Sequence, residues 1–153
     1  MIEIRPATPD DAAAMAEVQA GIFTARGTGL HGDTAWTRAR YIDHPDSLAC
    51  TLAVEAGVVL GFQSLKRAVA GNAYDVPEGW GIIGTHISLA VGRRGIGRAL
   101  FAENLAAATT ASLTAIDATI GADNTGALAY YEAMGFRTWR TLEGSVGKRL
   151  DLA

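Results

Sequence analysis

One loop of the sequence combines glycines and arginines in an order that suits the binding of a pyrophosphate. Residues 87–101 read ISLAVGRRGIGRALF, a β-rich apolar stretch followed by the loop and then by an Ala/Leu-rich segment. Glycines allow backbone N–H groups to approach an anion closely, and a helix that begins after the loop adds partial positive charge. Arginine side chains add full charges and paired donors. The residues with this potential are Arg93, Arg94, Gly95, Ile96, Gly97 and Arg98.

Two better-known phosphate motifs fit this loop only in part. Gly92 and Gly97 have the spacing of the nucleotide-binding P-loop, but an Arg-Ala pair follows where Lys-Ser/Thr is required. The hydroxyl that would bind magnesium is therefore missing. The dinucleotide motif G-x-G-x-x-G/A fits Gly95 and Gly97 but meets Leu100 at its third glycine position. The pattern disfavours a nucleotide kinase, a GTPase and a nicotinamide or flavin site.

Length and composition predict one ordinary globular domain. The chain has 153 residues, of which 49% are hydrophobic and 19% are charged, and its net charge is −3. This length predicts a single domain over residues 1–153 that buries about two thirds of its unfolded surface. General nucleic-acid binders are expected to be basic. The arginines of the loop are therefore expected to form a local patch for a compact anion, with no nucleic-acid partner.

Cysteine and histidine positions argue against a disulfide and against a metal site. Cys50 is the only cysteine, which excludes an internal disulfide and any cysteine-based zinc site. His31, His44 and His86 lack the i, i+4 spacing of a helical metal site, so no metal is predicted.

The N-terminus has no basic start followed by an apolar run, and no stretch approaches 18 uninterrupted apolar residues. We therefore expect a cytoplasmic protein with no membrane partner.

Strands and helices alternate around the loop in an order typical of an α/β or α+β domain. Apolar alternation, turn residues and helix caps predict the order βααβββαβαββ. The predicted strands are 2–5, 48–55, 58–65, 80–87, 115–120, 137–142 and 146–152, and the predicted helices are 9–25, 33–43, 96–111 and 125–134. We expect a mixed central β-sheet flanked by helices, with the glycine–arginine loop between a central strand and the following helix. Such junctions are where these sheets bind cofactors.

Two segments resemble the GCN5-related N-acetyltransferase (GNAT) superfamily, which transfers acetyl groups from acetyl-CoA to amines. The segment GRRGIGRALF is similar to that family's Q/R-x-x-G-x-G/A pyrophosphate motif, and IGADNTGALAYYEAMGF is similar to its strand, asparagine, helix, tyrosine and Gly-Phe. The two motifs occur in the family's order, with 27 residues from Gly97 to Asn124. The predicted order of elements also fits the family's fold, so the resemblance covers nearly the whole chain.

The resemblance implies a cofactor, acetyl-CoA, and a set of residues that hold it. The backbone of residues 93–98 would bind the pyrophosphate, Asn124 would contact the pantetheine arm, and Tyr131 would protonate the departing thiolate. The strand before the loop would supply backbone groups at Ile87 and Leu89. Gly92 stands where the motif usually has Gln or Arg. The neighbouring Tyr130 is expected to turn about 100° away from Tyr131, so that the two do not share one role.

Acetyl transfer also needs a group that takes the proton of the ammonium. His86 lies on the strand before the loop and is the candidate base, since the ordinary pKa of histidine is near neutral. Two other interpretations stay open: a histidine packed in the sheet, and proton removal through waters near Asp75 or Glu78. The chain loosely resembles the branch that acetylates phosphinothricin and other amino-acid analogues. That branch carries a glutamate base on the central strand, where this chain has Ile82.

The expected acceptor is a small primary amine, an amino acid or a close analogue, attacked directly in a ternary complex. Phe23, Trp36 and Tyr41 could form the walls of a compact pocket for it. Two other functions stay open: a non-catalytic acyl-CoA-binding regulatory module, and an enzyme that acetylates proteins or peptides. The sequence also leaves open whether the chain forms a homodimer, although dimers are common in the resembled family.

Overall fold

One seven-stranded sheet with helices on both faces forms the molecule. The computed structural model describes residues 1–27, 32–91 and 94–152. The strands are β1 (Glu3–Pro6), β2 (Ser47–Glu55), β3 (Val58–Arg67), β4 (Gly81–Ile87), β5 (Ala115–Gly121), β6 (Arg137–Leu142) and β7 (Ser145–Asp151). The helices are α1 (Ala12–Ala25), α2 (Thr34–Thr37), α3 (Ile96–Thr110) and α4 (Thr125–Ala133). The fold class and the order βααβββαβαββ predicted from the sequence are confirmed.

Short irregular turns extend two of the helices. A 3₁₀ turn over Pro9–Asp11 precedes α1, and a π-helical turn over Arg38–Ile42 continues α2. The hairpin between β2 and β3 turns at Ala56 and Gly57, which both have positive φ. This is the backbone of the tight turn that matches the twist of an antiparallel pair. No helix in the described part of the chain is both long and apolar enough to span a membrane.

The sheet order β1-β2-β3-β4-β5-β7-β6 places β4 and β5 at its centre. All neighbours are antiparallel except β4 and β5, which run parallel. This parallel pair is registered only at Gly81–Ile116 and Ile82–Asp117. The two strands therefore part after Ile82, and an opening lies in the middle of the sheet.

Side chains of the sheet alternate between its two faces, and each face packs against different helices. On one face, Leu65 and Ile83 pack with Phe101 of α3 and Tyr131 of α4 in the larger core cluster. On the other face, Phe62 packs with Met15 of α1 and with Tyr41. Because successive strand residues point to opposite faces, β4 presents residues 83, 85 and 87 to α3 and α4 and residues 82, 84 and 86 to α1.

Candidate active site

The opening between β4 and β5 exposes backbone groups of β4. Ser88 donates its N–H to the Leu60 carbonyl at 2.8 Å, toward β3. In an antiparallel pair the direction of these groups alternates from residue to residue, so the N–H groups of Thr85 and Ile87 point away from β3. Beyond Ile82 the paired register with β5 has ended. These N–H groups are available to a ligand that enters the opening.

An apolar slot of about 260 Å³ lies beside the opening, between β4 and α4. Its walls are Ile22, Thr85, Ile87, Leu89, Gly126, Ala127, Tyr130 and Tyr131. The slot therefore includes Ile87, Leu89 and Tyr131, three of the residues predicted from the sequence. Its apolar lining suits an uncharged chain.

Tyr131 presents its hydroxyl to this slot. The side chain is buried, its ring packs on Phe136, and its hydroxyl shares a hydrogen bond of 2.8 Å with the Thr85 hydroxyl. Burial raises the pKa of Tyr131 above its ordinary value, and the hydrogen bond with Thr85 opposes that rise in part. The phenol consequently remains protonated throughout the neutral range and can act as a proton donor.

Tyr130 also lines the slot, and its hydroxyl has partners different from the Thr85 partner of Tyr131. The expectation that the two tyrosines do not share one role stays a prediction. The Tyr130 ring contacts the Tyr131 ring at a centroid distance of 4.9 Å. The Tyr130 hydroxyl donates to the Gly97 carbonyl at 2.8 Å and accepts from Gln63 Nε2 at 3.1 Å. A Cβ at position 97 would lie 2.6 Å from the Tyr130 ring. Gly97 therefore permits the close approach of this ring, which α4 brings against the start of α3.

The glycine–arginine loop leads into α3 as predicted. Gly95 caps the helix with φ of +74°, a left-handed conformation that favours glycine. Arg94 forms two hydrogen bonds with the Glu55 carboxylate, at 2.9 and 2.6 Å, and Arg98 is exposed in the first turn of α3. Ile96 is buried in the core. Gly92 and Arg93 lie outside the described residues, so the predicted role of Arg93 stays a prediction.

Asn124 caps α4, as its position in the motif predicts. Its Oδ1 accepts the Ala127 N–H at 3.2 Å, which satisfies one of the unpaired donors at the start of a helix. With that oxygen occupied, the amide Nδ2 is the group through which Asn124 could contact a ligand. Gly126 and Ala127 of the same turn line the apolar slot.

A second cavity, which we call the basic cavity, lies on the α1 face of β3 and β4. It measures about 330 Å³, and its walls include Gln19, Phe23, Trp36, Arg40, Tyr41, Lys66, His86 and Asp117. The three aromatic residues predicted from the sequence, Phe23, Trp36 and Tyr41, thus come together on this wall. A neighbouring cavity of about 390 Å³ shares Trp36, Arg40, Lys66, Tyr74 and Ile82 with it.

Two cations, Arg40 and Lys66, face the basic cavity. Arg40 donates to the Tyr74 hydroxyl at 2.5 Å and lies 5.0 Å from the Trp36 ring centroid, while its buried Nε has no hydrogen-bond partner. Lys66 is 7% exposed, and burial together with the Arg40 charge lowers the pKa of its amine to about 8. Within the described part of the chain, neither cation forms an ion pair with a carboxylate. The cavity is therefore suited to an anionic group.

His86 lies in the basic cavity, but its environment is unlike the one assumed from the sequence. Its ring packs against Phe62 and Tyr41, with centroid distances of 4.8 and 5.8 Å. Burial, and secondly the Arg40 charge, lowers the pKa of His86 to about 4. The argument from a near-neutral pKa therefore does not apply, and a neutral His86 is a weak proton acceptor at pH 7.

The lowered pKa of His86 predicts that this residue makes the stability of the protein depend on pH. The unfolded chain binds a proton at His86 below about pH 6.5, whereas the folded chain stays neutral there down to about pH 4. The free energy of unfolding should therefore fall as the pH decreases from 6.5 to 4, by up to about 3 kcal/mol from this residue. Urea unfolding of the wild type and of His86→Gln at several pH values measures this. Parallel pH curves for the two proteins would contradict the prediction.

Asp117 is a carboxylate in the basic cavity that the sequence analysis did not identify as a site residue. It is 1% exposed, and it accepts hydrogen bonds from Trp139 Nε1 at 2.8 Å and from the Thr119 hydroxyl at 3.0 Å. Asp75 and Glu78, the acids considered from the sequence, are exposed and line neither the basic cavity nor its neighbour.

Arg40, Lys66 and Gln19 were also missed as site residues. Gln19 is buried on α1 and donates to the Tyr41 hydroxyl at 2.7 Å. A polar residue on the apolar face of a helix was the signal that could have identified Gln19.

In the described ranges, no group of three or more His, Cys, Asp or Glu side chains is placed to hold a metal ion.

Solved structures of similar fold include acetyltransferases bound to their cofactor. One is yncA of Salmonella typhimurium, a candidate acetyltransferase with acetyl-CoA, at 23% identity, 99% and 94% coverage of the two chains and a TM-score of 0.76. A second is PaiA N-acetyltransferase of Thermoplasma acidophilum with coenzyme A, at 16% identity, 99% and 99% coverage and a TM-score of 0.77. A third is a candidate phosphinothricin N-acetyltransferase, at 19% identity, 100% and 99% coverage and a TM-score of 0.75. At these identities the likeness shows a shared fold.

The sequence itself matches a known family. A comparison with curated proteins finds no significant match. The sequence profile of the acetyltransferase (GNAT) family, however, matches residues 14–136, which include the glycine–arginine loop, the apolar slot and the basic cavity. The match covers most of the chain, and the chain therefore belongs to the acetyltransferase (GNAT) family.

Proposed function

We propose that this chain transfers the acetyl group of acetyl-CoA to the primary amine of an amino acid or a close analogue, by direct attack in a ternary complex. Membership of the acetyltransferase (GNAT) family supports the general activity, acetyl-CoA-dependent N-acetyl transfer. The acceptor class is a narrower proposal. The observation that carries it is the pair of cations in the basic cavity, on the opposite face of the strand that lines the apolar slot.

The slot and the loop suit two different parts of acetyl-CoA. The apolar lining of the slot suits the pantetheine arm, and the N–H groups of Thr85 and Ile87 could donate to its amides and to the thioester carbonyl. The start of α3, with Gly95 and the exposed Arg98, suits the pyrophosphate. Arg94 already forms two bonds with Glu55, so its share in phosphate binding requires that this ion pair opens.

The basic cavity suits an acceptor that carries an acid group beside its amine. Register pairs Lys66 with Ile82 and Ser64 with Gly84. Lys66 therefore lies two residues, roughly 7 Å, along the strand from Gly84, which is beyond the part of β4 that pairs with β5. A small acceptor could place its acid group against Arg40 and Lys66 and its amine near the opening. A free amino acid or a phosphinate analogue has these two groups close together.

Tyr131 would be the acid that protonates the leaving thiolate. It lines the slot that would hold the sulfur end of the pantetheine arm, and burial keeps its phenol protonated at neutral pH. Thr85 orients this hydroxyl through their shared hydrogen bond. Beyond these proton transfers the protein needs only to hold the two reactants in position, because an amine attacks a thioester readily once both are held at contact distance.

A panel of acceptors tests this proposal. Thiol release from acetyl-CoA should be fast with free amino acids or phosphinothricin, and slow with the matching amides and with simple alkylamines, which lack the acid group. Acetyl-CoA should raise the melting temperature, by a stabilisation of about 2.7 kcal/mol at 100 times its Kd, and NAD and ATP should not.

The other outcomes of the panel identify the alternative functions. Acetyl-CoA binding without turnover of any amine would indicate a non-catalytic binding module. Turnover of peptides with none of free amino acids would indicate a protein or peptide acetyltransferase. Either result would overturn the proposed acceptor class.

A further inference from the structure

We propose that Asp117 receives the proton that the acceptor ammonium loses before it attacks the thioester. The proposal rests on the proposed acetyl transfer. Among the described residues that line the basic cavity, Asp117 is the one carboxylate. It stands opposite Ile82 in the last registered pair of β4 and β5. The carboxylate thus lies where the two strands begin to part, between the cavity that would hold the acceptor and the opening that would admit the thioester.

The way the chain holds Asp117 fits a proton acceptor. Each oxygen accepts one hydrogen bond from a neutral donor, Oδ1 from Trp139 and Oδ2 from Thr119. No ion pair holds it among the described residues. Each carboxylate oxygen retains accepting capacity beyond that single bond. Burial raises the pKa of Asp117, against the hydrogen bonds and the Arg140 charge, which lower it. A raised pKa brings the carboxylate closer to the range in which a general base works well.

Other charged and titratable groups surround Asp117 but do not replace it. Those on the neighbouring elements are Arg140 of β6, Arg149 of β7, Tyr131 of α4, Lys66 of β3, His86 of β4 and Arg40. Arg40 and Lys66 are cations and repel an ammonium. The pKa of His86, about 4, leaves it neutral and weakly basic. An acceptor with an acid group and an ammonium would therefore orient with the acid toward Arg40 and Lys66 and the ammonium toward Asp117.

The proposed step balances in protons and bonds. Asp117 takes one proton from the ammonium and leaves a neutral amine, whose lone pair attacks the thioester carbonyl carbon. The C–N bond forms and the C–S bond breaks, and the nitrogen loses its second proton as the amide forms. Tyr131 gives its proton to the thiolate and is reprotonated by the proton that the nitrogen releases. Asp117 returns its proton to solvent after the products leave, so the net release is one proton per acetyl transferred.

Asp117→Asn tests the proposal with little change of shape. The asparagine Oδ1 can accept from Trp139, and its Nδ2 can donate to the Thr119 hydroxyl, which reverses the direction of that second hydrogen bond. With the best amino acid of the panel, kcat should fall by about 10²–10⁴-fold, while the Kd of acetyl-CoA changes by less than threefold. In the wild type, kcat should fall toward low pH as Asp117 becomes protonated in the bound complex. This fall, the acid limb of the pH profile of kcat, should be absent in the variant. With an acceptor analogue whose amine is already neutral at the assay pH, the substitution should lower kcat much less.

Two further variants separate a catalytic from a structural role. Trp139→Phe removes one donor to the carboxylate, which should raise the pKa of Asp117 and move the acid limb of kcat to higher pH. Glu78→Gln, an exposed acid outside both cavities, is the matched control and should keep the wild-type profile. If Asp117→Asn keeps the wild-type kcat and acid limb while the wild type is active, only the role of Asp117 is wrong. If the wild type acetylates none of the panel, the proposed function fails and this inference fails with it.

Discussion

Tyr131→Phe should lower kcat by about 10²–10⁴-fold while the Kd of acetyl-CoA stays nearly unchanged. A phenol that donates its proton to the leaving thiolate acts mainly in the transition state, so its loss affects kcat and kcat/KM alike. The ring contact with Phe136 remains in the variant. The lost hydrogen bond to Thr85 should reduce stability by only about 1 kcal/mol. Steady-state kinetics, calorimetry with acetyl-CoA and thermal unfolding measure the three quantities.

Tyr130→Phe is the matched comparison, because the two tyrosines are adjacent and both line the slot. Its hydroxyl donates to the Gly97 carbonyl and accepts from Gln63, whereas the Tyr131 hydroxyl shares its hydrogen bond with the Thr85 hydroxyl. Loss of this hydroxyl should raise the KM of acetyl-CoA a few-fold, through the first turn of α3, and leave kcat within a few-fold of the wild type. Equal kcat values and pH profiles for the wild type and Tyr131→Phe would show that Tyr131 only packs in the core.

Arg40→Gln combined with Lys66→Met should raise the KM of acid-bearing acceptors by about 10²–10⁴-fold. Each charge-assisted hydrogen bond to the acid group contributes about 1.5–3 kcal/mol, and the double variant removes two of them. The acetyl-CoA side of the site is on the opposite face of β4, so the Kd of acetyl-CoA should not change. Acceptors without an acid group should keep their low activity. Kinetics with paired acceptors, an amino acid and its amide, provide the measurement.

Arg38→Gln is the control for this double variant. Arg38 lies on the same π-helical turn as Arg40, but its Nε pairs with Asp43 at 2.6 Å on the surface. It should leave the preference for the amino acid over its amide unchanged. An equal loss with the amino acid and its amide in the double variant would show that the two cations support the fold and do not bind an acid group.

Several candidate site residues could be proposed from the sequence because their signals are local. The glycine–arginine loop, the cap at Asn124 and the Tyr131 helix are short patterns in which spacing along the chain decides backbone conformation. The alternation of apolar residues predicted β2 and β3 with the turn at Ala56 and Gly57, since a strand's period of two needs no distant contact. The sequence also predicted that Phe23, Trp36 and Tyr41 could line one pocket, and all three line the basic cavity.

The chemistry of the basic cavity depended on contacts that no local pattern contains. Arg40 and Lys66 meet because the π-helical turn packs over β3, and Asp117 joins them because β5 pairs with β4 at Ile82. The pKa of His86 depends on its burial against Phe62 and on the Arg40 charge.

For this protein, the sequence alone determined the order of elements and the fold class, and it identified the loop and the helix proposed to hold acetyl-CoA, because backbone conformation follows from neighbours along the chain. The tertiary structure decided which charges line the basic cavity, which carboxylate stands at the opening and which histidine has a lowered pKa. Those properties depend on burial and on charges a few ångströms away, and pairing of distant segments determines both.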